Sequence, residues 1–436
     1  MSRQMKDSGI PWIGEIPDGW RIERIKTIFT ERTELSENGN EELLSVSEYY
    51  GVDKRASRVD ENETLFRSDS LVGYKKCYKG DFVSNIMLAW KGSFGITEYD
   101  GVVSPAYCVY KPSDSIFPKY YHYLFRTSMY TGQFRCYSKG IIDSRLRLYS
   151  PYFYDVSAII PPLEEQQRIA DFLDQKCGEV DEMVSLQEKI IEELKAYKQA
   201  IITEAVCKGL NPDAEMKDSG VEWIGKIPEG WEVEPFKQLY ELGKGLSITK
   251  ADLVQKGIPV ISYGQIHSKS NTGTAIKDEL IRFVPDYYLE GNASSLVKVG
   301  DLIFADTSED LDGCGNCIYI DRDITMFAGY HTIIAKYLND NPNNYFSYLF
   351  KTDCWRIQIR SVVNGVKVFS VPQRLLGSTS VIVPPIEEQK AIGNYLDSKC
   401  SDIDAMIAIK QQKIEELKDY KKSIIYEYIT GKKEVV

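Results

Sequence analysis

Between residues 119 and 149 six cations stand against one carboxylate: Lys119, Arg126, Arg135, Lys139, Arg145 and Arg147 against Asp143. Tyr130, Phe134, Tyr137, Ser138, Ser144 and Tyr149 are interleaved with them. A second stretch, 351–374, carries Lys351, Arg356, Arg360, Lys367 and Arg374 against Asp353. A third, 67–79, adds Arg67, Lys75, Lys76 and Lys79 against Asp69. Cations among planar and hydroxyl side chains suit contact with phosphates and base edges. Arg can make bidentate contacts to guanine, whereas Lys acts on phosphate as a point charge. The candidate nucleic-acid contacts are therefore Lys75, Lys76, Arg135, Lys139, Arg145 and Arg147 in the first half, and Arg356, Arg360, Lys367 and Arg374 in the second. The plainer reading of any one such run is a solvated face. Two runs at matching places in the chain favour a shared role.

Other chemistries find no support. His122, His267 and His331 fall in no HExxH or other ligand spacing and read as structural histidines. Cys314 and Cys317 form the one CxxC, without two further ligands nearby, so a Gly-rich turn is expected rather than a metal site. All nine cysteines read as free thiols. No glycine-rich phosphate cradle occurs, nor the Asp/Asn-Pro-Pro-Tyr/Phe tetrapeptide of adenine methyltransferases. Pro212-Asp213 with Glu215 and Lys217 imitates a nuclease motif, but its carboxylates are two residues apart and it lies in a junction. No catalytic residue, metal ligand or cofactor site is expected on this chain.

The junction is visible because the chain repeats itself. KDSGIPWIGEIPDGW (6–20) and KDSGVEWIGKIPEGW (217–231) agree at eleven of fifteen positions. PPLEEQQRIADFLDQKC (161–177) and PPIEEQKAIGNYLDSKC (384–400) agree at ten of seventeen. The middles diverge, leaving landmarks: Gly80-Asp81 against Gly300-Asp301, Tyr123-Leu-Phe against Tyr348-Leu-Phe, and Gly140 against Gly365. One scaffold holds two different fillings. The Trp/Gly/Pro sentence is nearly identical beside fillings that differ, so it reads as a clasp anchoring each unit through Trp12 and Trp20, or Trp223 and Trp231.

After each Pro-Pro the pattern becomes helical. Val180, Val184, Gln187, Ile191, Leu194, Lys198 and Ile201 step by four and three, as do Ile403, Ile407, Lys410, Ile414, Leu417, Lys421 and Ile424. This is a heptad seam, and two such helices can cover each other's stripe. The polar seam positions either fix register or lie at the seam's edge. Each Glu-Glu suits a helix N-terminus, where the macrodipole favours anions. The remaining sequence is strand-rich with short helices, as in VVSPAYCVYKP and YYHYLFRTSMY. The fold expected is α+β, with each repeat closing on a long helix. The segments are 1–160, 161–210 (helix), 211–383 and 384–436 (helix).

Net charge is −11, which on its face disfavours a nucleic-acid binder. Its distribution reverses that. Residues 163–204 carry −6 and 386–427 carry −2, so the acid sits mostly on the helices. There is no signal-peptide pattern at MSRQMKDSG and no apolar run of membrane length, so a cytoplasmic protein without membrane contact is expected.

The Gly-x-x-x-Trp-x-Gly-x-x-Pro-x-x-Trp openings, the divergent blocks and the two PPxEEQ helices resemble the specificity subunit of Type I DNA restriction–modification systems, over the whole chain. The resemblance implies two tandem α/β target-recognition domains separated by two long helices forming an antiparallel coiled coil, each domain reading one half of a split double-stranded DNA target. It implies that the helices set the gap and dock the methyltransferase (modification) subunits. Adenine-N6 methylation with S-adenosylmethionine would then belong to those partners. ATP, Mg and DNA cleavage would belong to the restriction subunits. A fused enzyme would need the missing motifs. A coiled-coil scaffold for proteins would not need paired basic stretches.

Overall fold

The structure, a computed structural model, describes residues 3–48, 50–55, 70–339, 341–365 and 367–435. The chain forms two compact units: residues 1–188 with 411–436, and residues 189–410. The long helices are Leu163–Lys208 and Ile386–Ile429. Each unit therefore contains part of both helices.

In the first unit Met5–Asp7 pairs antiparallel with Glu15–Pro17, closing the Trp/Gly/Pro sentence into a hairpin. Arg21–Arg24 then pairs with Ser157–Ile160, the strand that Pro161-Pro162 terminates. A four-stranded antiparallel sheet follows, in the order Phe29–Arg32, Tyr107–Pro112, Phe82–Asn85, Phe94–Ile96. Helices Pro118–Arg126, Ser128–Tyr137 and Ser150–Asp155 cover it. Their aromatic residues fuse with the sheet's into one core, where Phe82 stacks on Phe153 at 5.6 Å and packs edge-on to Phe125 at 5.5 Å.

The second unit repeats this frame. Met216–Asp218 pairs with Lys226–Pro228, and Glu232–Pro235 with Ser380–Val383. Its four-stranded sheet runs Tyr240–Lys244, Thr332–Tyr337, Leu302–Ala305, Cys317–Tyr319. The fillings differ. The first unit inserts two strand pairs, Leu44–Ser47 with Gly51–Lys54 and Lys75–Cys77 with Gly101–Val103. The second inserts a four-stranded sheet containing a parallel pair, Ile258–Ile261 beside Met326–Ala328.

The shared landmarks have shared causes. Gly80 and Gly300 turn at φ +93° and +92°, a left-handed conformation that glycine adopts without strain. The aspartate after each is buried and closes its turn: Asp81 accepts from the Tyr78 N–H and Asp301 from the Lys298 N–H, both at 2.9 Å. Gln166 and Gln389 are buried at the start of the long helices. Each donates to the carbonyl of the first proline before it, Pro161 at 2.8 Å and Pro384 at 2.7 Å.

Within each unit the helix segments run antiparallel. In the first, Phe172 packs on Tyr428 at 4.4 Å, while Asp181 bonds the Lys421 ammonium at 2.7 Å. In the second, Lys198 bonds Asp404 at 2.7 Å, and the helix end at Gly209 lies beside Glu388. Val180, Ile191, Ile403, Ile414, Leu417 and Ile424 are buried; Val184, Leu194, Ile201 and Ile407 are half-buried. No helix among the described residues is long and apolar enough to cross a membrane.

The clasp tryptophans separate in role. Trp20 and Trp231 are buried, and Trp12 packs edge-on to Tyr130 at 5.2 Å. Trp223, expected to anchor like Trp12, is 43% exposed. The position matching Tyr130 holds Trp355, which is buried and packs on Phe350 at 4.4 Å.

Candidate nucleic-acid interface

The first basic stretch folds into a closed loop. Helix Ser128–Tyr137 ends at Ser138, which donates to the Phe134 carbonyl. Lys139 and Arg147 then exchange two backbone hydrogen bonds of 2.9 Å, closing the segment between them. Gly140 has φ +154°, and a Cβ there would lie 2.5 Å from the Arg145 carbonyl oxygen, so only glycine fits. Leu146 and Leu148 are buried and anchor the returning arm.

The cations of this stretch divide into braces and exposed groups. Arg135 donates to both carboxylate oxygens of Asp143, at 2.8 and 3.0 Å, and its guanidinium lies over the Trp90 ring at 5.0 Å. It neutralises the one acid of the loop and fixes its tip. Arg147 is half-buried and donates to the Ser144 and Leu146 carbonyls. Lys139 and Arg145 are exposed, with the Lys139 ammonium 4.6 Å from the Tyr152 ring centre. Arg126 is internal, donating to the Gly92 and Phe94 carbonyls at 3.0 Å, and burial lowers its pKa. Lys119 pairs with Asp174.

Lys75 and Lys76 stand on a separate strand, within 3.9 Å of Glu31 and 3.4 Å of Glu41 respectively. Lys79 pairs with Glu98 at 3.6 Å. Arg67 and Asp69 lie outside the described residues.

In the second unit the helix Asp353–Arg360 turns two arginines inward. Arg356 donates to the Phe350 carbonyl at 2.8 Å, and burial pushes its pKa down. Arg360 donates to Asp353 and to the Asp312 carbonyl, both at 2.9 Å. Together they hold the acidic loop around Asp312. Lys351 is half-buried, and desolvation pushes its ammonium down to about 8. Lys367 and Arg374 are exposed. Lys367 follows Gly365, where a Cβ would lie 2.3 Å from the Val368 carbonyl oxygen, so the crowding at Gly140 recurs.

Three features escaped the sequence reading. Ile141 is 95% exposed at the tip of the first loop, beside half-exposed Ile142. Their place in a Gly-Ile-Ile turn, where polar residues are usual, was the available signal. His331 is exposed at φ +53°, a conformation rare outside glycine, with Nδ1 3.3 Å from Asp306. Tyr263 packs on it at 5.6 Å and on Tyr330 at 5.7 Å. The third is the role of the second glutamate of each PPxEEQ. It accepts from a buried tryptophan, Trp20 or Trp231, rather than serving only the helix dipole.

The family model described as the Type I restriction modification DNA specificity domain matches the chain twice, over residues 16–196 and 228–419. The specificity subunit of the Type I restriction enzyme MjaVIII, from Methanocaldococcus jannaschii, is 26% identical over 284 residues, which are 64% of this chain and 63% of that protein. The specificity subunit of the Escherichia coli enzyme EcoKI is 24% identical over 408 residues, 87% of this chain and 82% of that one. A solved chain described for complex assembly and conformational transition of the type I R-M system superposes with a TM-score of 0.71 at 15% identity, covering 95% of this chain and 98% of its own. The two matched segments take up more than half of the sequence, and the chain belongs to the Type I restriction modification DNA specificity family.

Proposed function

We propose that this chain is the specificity subunit of a Type I complex in which each recognition domain reads one half of a bipartite double-stranded DNA sequence. The observation that carries this is a common frame holding different fillings, matched by the specificity-domain model once in each half. A frame that must present two surfaces at fixed positions is kept. The inserted strands, which would meet different half-sites, are not.

The recognition domains are residues 1–160 and 211–383, and each falls inside a different compact unit. The helical segments 161–210 and 384–436 set the gap and dock methyltransferase subunits. The first of these helices carries most of the chain's net negative charge, −6 over residues 163–204, which disfavours DNA and suits a protein partner. The seam residues Val180, Val184, Ile191, Leu194, Ile201, Ile403, Ile407, Ile414, Leu417 and Ile424 hold the helices together. S-adenosylmethionine is used by the methyltransferase subunits, and ATP and Mg by the restriction subunits. This chain supplies recognition in the cytoplasm without catalysis of its own.

Within the interface Lys139, Arg145, Lys367 and Arg374 make DNA contacts, while Arg135, Arg147, Arg356 and Arg360 shape the loops that carry them. Lys75 and Lys76 contribute from their strand. Methylome sequencing of cells expressing the chain with its methyltransferase partner tests this reading. It expects a bipartite methylated-adenine motif, and replacing residues 1–160 by another filling should change one half of it. Methylation without a split motif, or a swap that changes both halves, would overturn it.

A further inference from the structure

We propose that Ile141 enters the DNA of its half-site as an apolar wedge against the base stack. The inference rests on the recognition role just argued and assigns a specificity-determining contact within it.

Single apolar side chains on a surface need no explanation. Ile141 differs in degree and in setting. No other large apolar side chain among the described residues approaches its 95% exposure, the next being Ile409 at 67%. The loop beneath it is built rather than loose. The Lys139–Arg147 hydrogen bonds close it, Gly140 admits the Arg145 carbonyl, one guanidinium nitrogen of Arg135 holds both carboxylate oxygens of Asp143, and Leu146 and Leu148 are buried. With the returning arm's leucines in the core, the two isoleucines are left at the tip, facing outward.

The surroundings select the occupant. Lys139, Arg145 and Arg147 belong to the same loop, and its only carboxylate is covered by Arg135. A protein partner would want a broader apolar patch. An isolated aliphatic tip ringed by cations fits a groove whose walls are phosphates and whose floor is stacked bases, where Ile is among the side chains that wedge between base steps. In the second unit Val362 and Val368 are more than half exposed near Gly365, with exposed Lys367 beside Val368.

The test uses the full chain assembled with its methyltransferase subunits, and duplexes carrying 2-aminopurine at successive positions of the methylated half-site. Wild type should give a fluorescence rise at one base step besides the adenine that the methyltransferase flips. Ile141→Ala should abolish that rise and weaken binding about tenfold, leaving the salt dependence unchanged. Because Ile141 is almost fully exposed, the variant should fold as wild type. Arg145→Ala, by contrast, should lower the salt slope by about one. Unchanged affinity and fluorescence in Ile141→Ala would overturn the wedge while recognition stands. Loss of affinity only when thymines are replaced by uracil, without a fluorescence rise in wild type, would overturn it in favour of a methyl contact. Absence of specific binding by wild type would remove the recognition role itself, and the wedge with it.

Discussion

Trp20 Nε1 donates a hydrogen bond of 2.8 Å to the Glu165 carboxylate, and the same bond recurs between Trp231 and Glu388 at 2.9 Å. Each tryptophan also receives the end of the other long helix. Gly431 packs against Trp20 so closely that a Cβ would lie 2.8 Å from its ring, and Gly209 packs against Trp231 at 3.1 Å. Both glycines have φ between +70° and +80°, the usual way a helix ends. Tyr120 and Tyr345 fasten the same ends by donating to the Ile429 and Val206 carbonyls. The duplicated sentence is thus the joint where the start of one long helix meets the end of the other. That explains why it hardly varies while the fillings do.

Replacing either tryptophan by phenylalanine keeps most of the burial and removes the donor, which should cost about 1–3 kcal/mol. The two costs should differ. Glu165 retains Arg3, 2.5 Å away, whereas Glu388 has no cationic partner among the described residues. Trp231→Phe should therefore be the more destabilising change in urea unfolding, and equal effects would refute the inequality.

The ion pairs Lys198–Asp404 and Lys421–Asp181 occupy corresponding places in the two helices. Both aspartates are more than half exposed, so each pair is worth below about 1 kcal/mol. Asp404→Ala and Asp181→Ala should have small effects on unfolding. Lys198→Ala should cost more, because its stem packs along the seam. The charge-swapped double variant Lys198→Asp with Asp404→Lys should recover part of the loss in a double-mutant cycle. Purely additive effects would leave these lysines as seam-edge residues.

Gly140→Ala forces an L-residue into φ +154° against the Arg145 carbonyl. The strain is about 1–3 kcal/mol, borne by an exposed loop rather than by the core. The thermal unfolding midpoint should fall by about 2–4 °C for each kcal/mol of strain that the exposed loop does not relax, while binding to the first half-site falls. Gly365→Ala should do the same for the second half-site. Full binding by both variants would separate these loops from recognition.

How much of this was legible follows from what the sequence repeats. The frame was readable because both copies must make the same contacts: Gly80-Asp81 and Gly300-Asp301, the PPxEEQ starts, and the seam from Val180 to Ile201. The division into units was not. Nothing local to Glu188 or Gln411 marks a boundary, because it arises when helix segments far apart in sequence pack together. The roles of individual cations were also hidden. Arg145 and Arg356 look alike in sequence. Only the neighbouring carbonyls of Phe350 and Asp312 make one a brace, while the other is exposed.

The first unit also contains an acid-sensitive residue. His122 lies under Gly51 and Gly95, whose added Cβ atoms would sit 3.1 and 3.3 Å from its ring. Burial pushes its pKa down to about 3, with Arg126 and Lys119 adding repulsion to the charged form. Above the ordinary value near 6.5 the ring is neutral in both folded and unfolded chains, and the full stability is present. As pH falls from about 6.5 towards 3, the unfolded chain takes up a proton that the folded chain refuses. Stability is then lost at up to about 1.4 kcal/mol per pH unit, and no further loss from this group occurs below its folded value. His122→Gln cannot titrate, so the measurement is the difference between wild type and variant in urea unfolding across this range. That difference isolates the ring from the carboxylates that titrate alongside it. The wild-type curve should fall more steeply with acid, and parallel curves would show that the folded protein protonates His122 as readily as the unfolded chain.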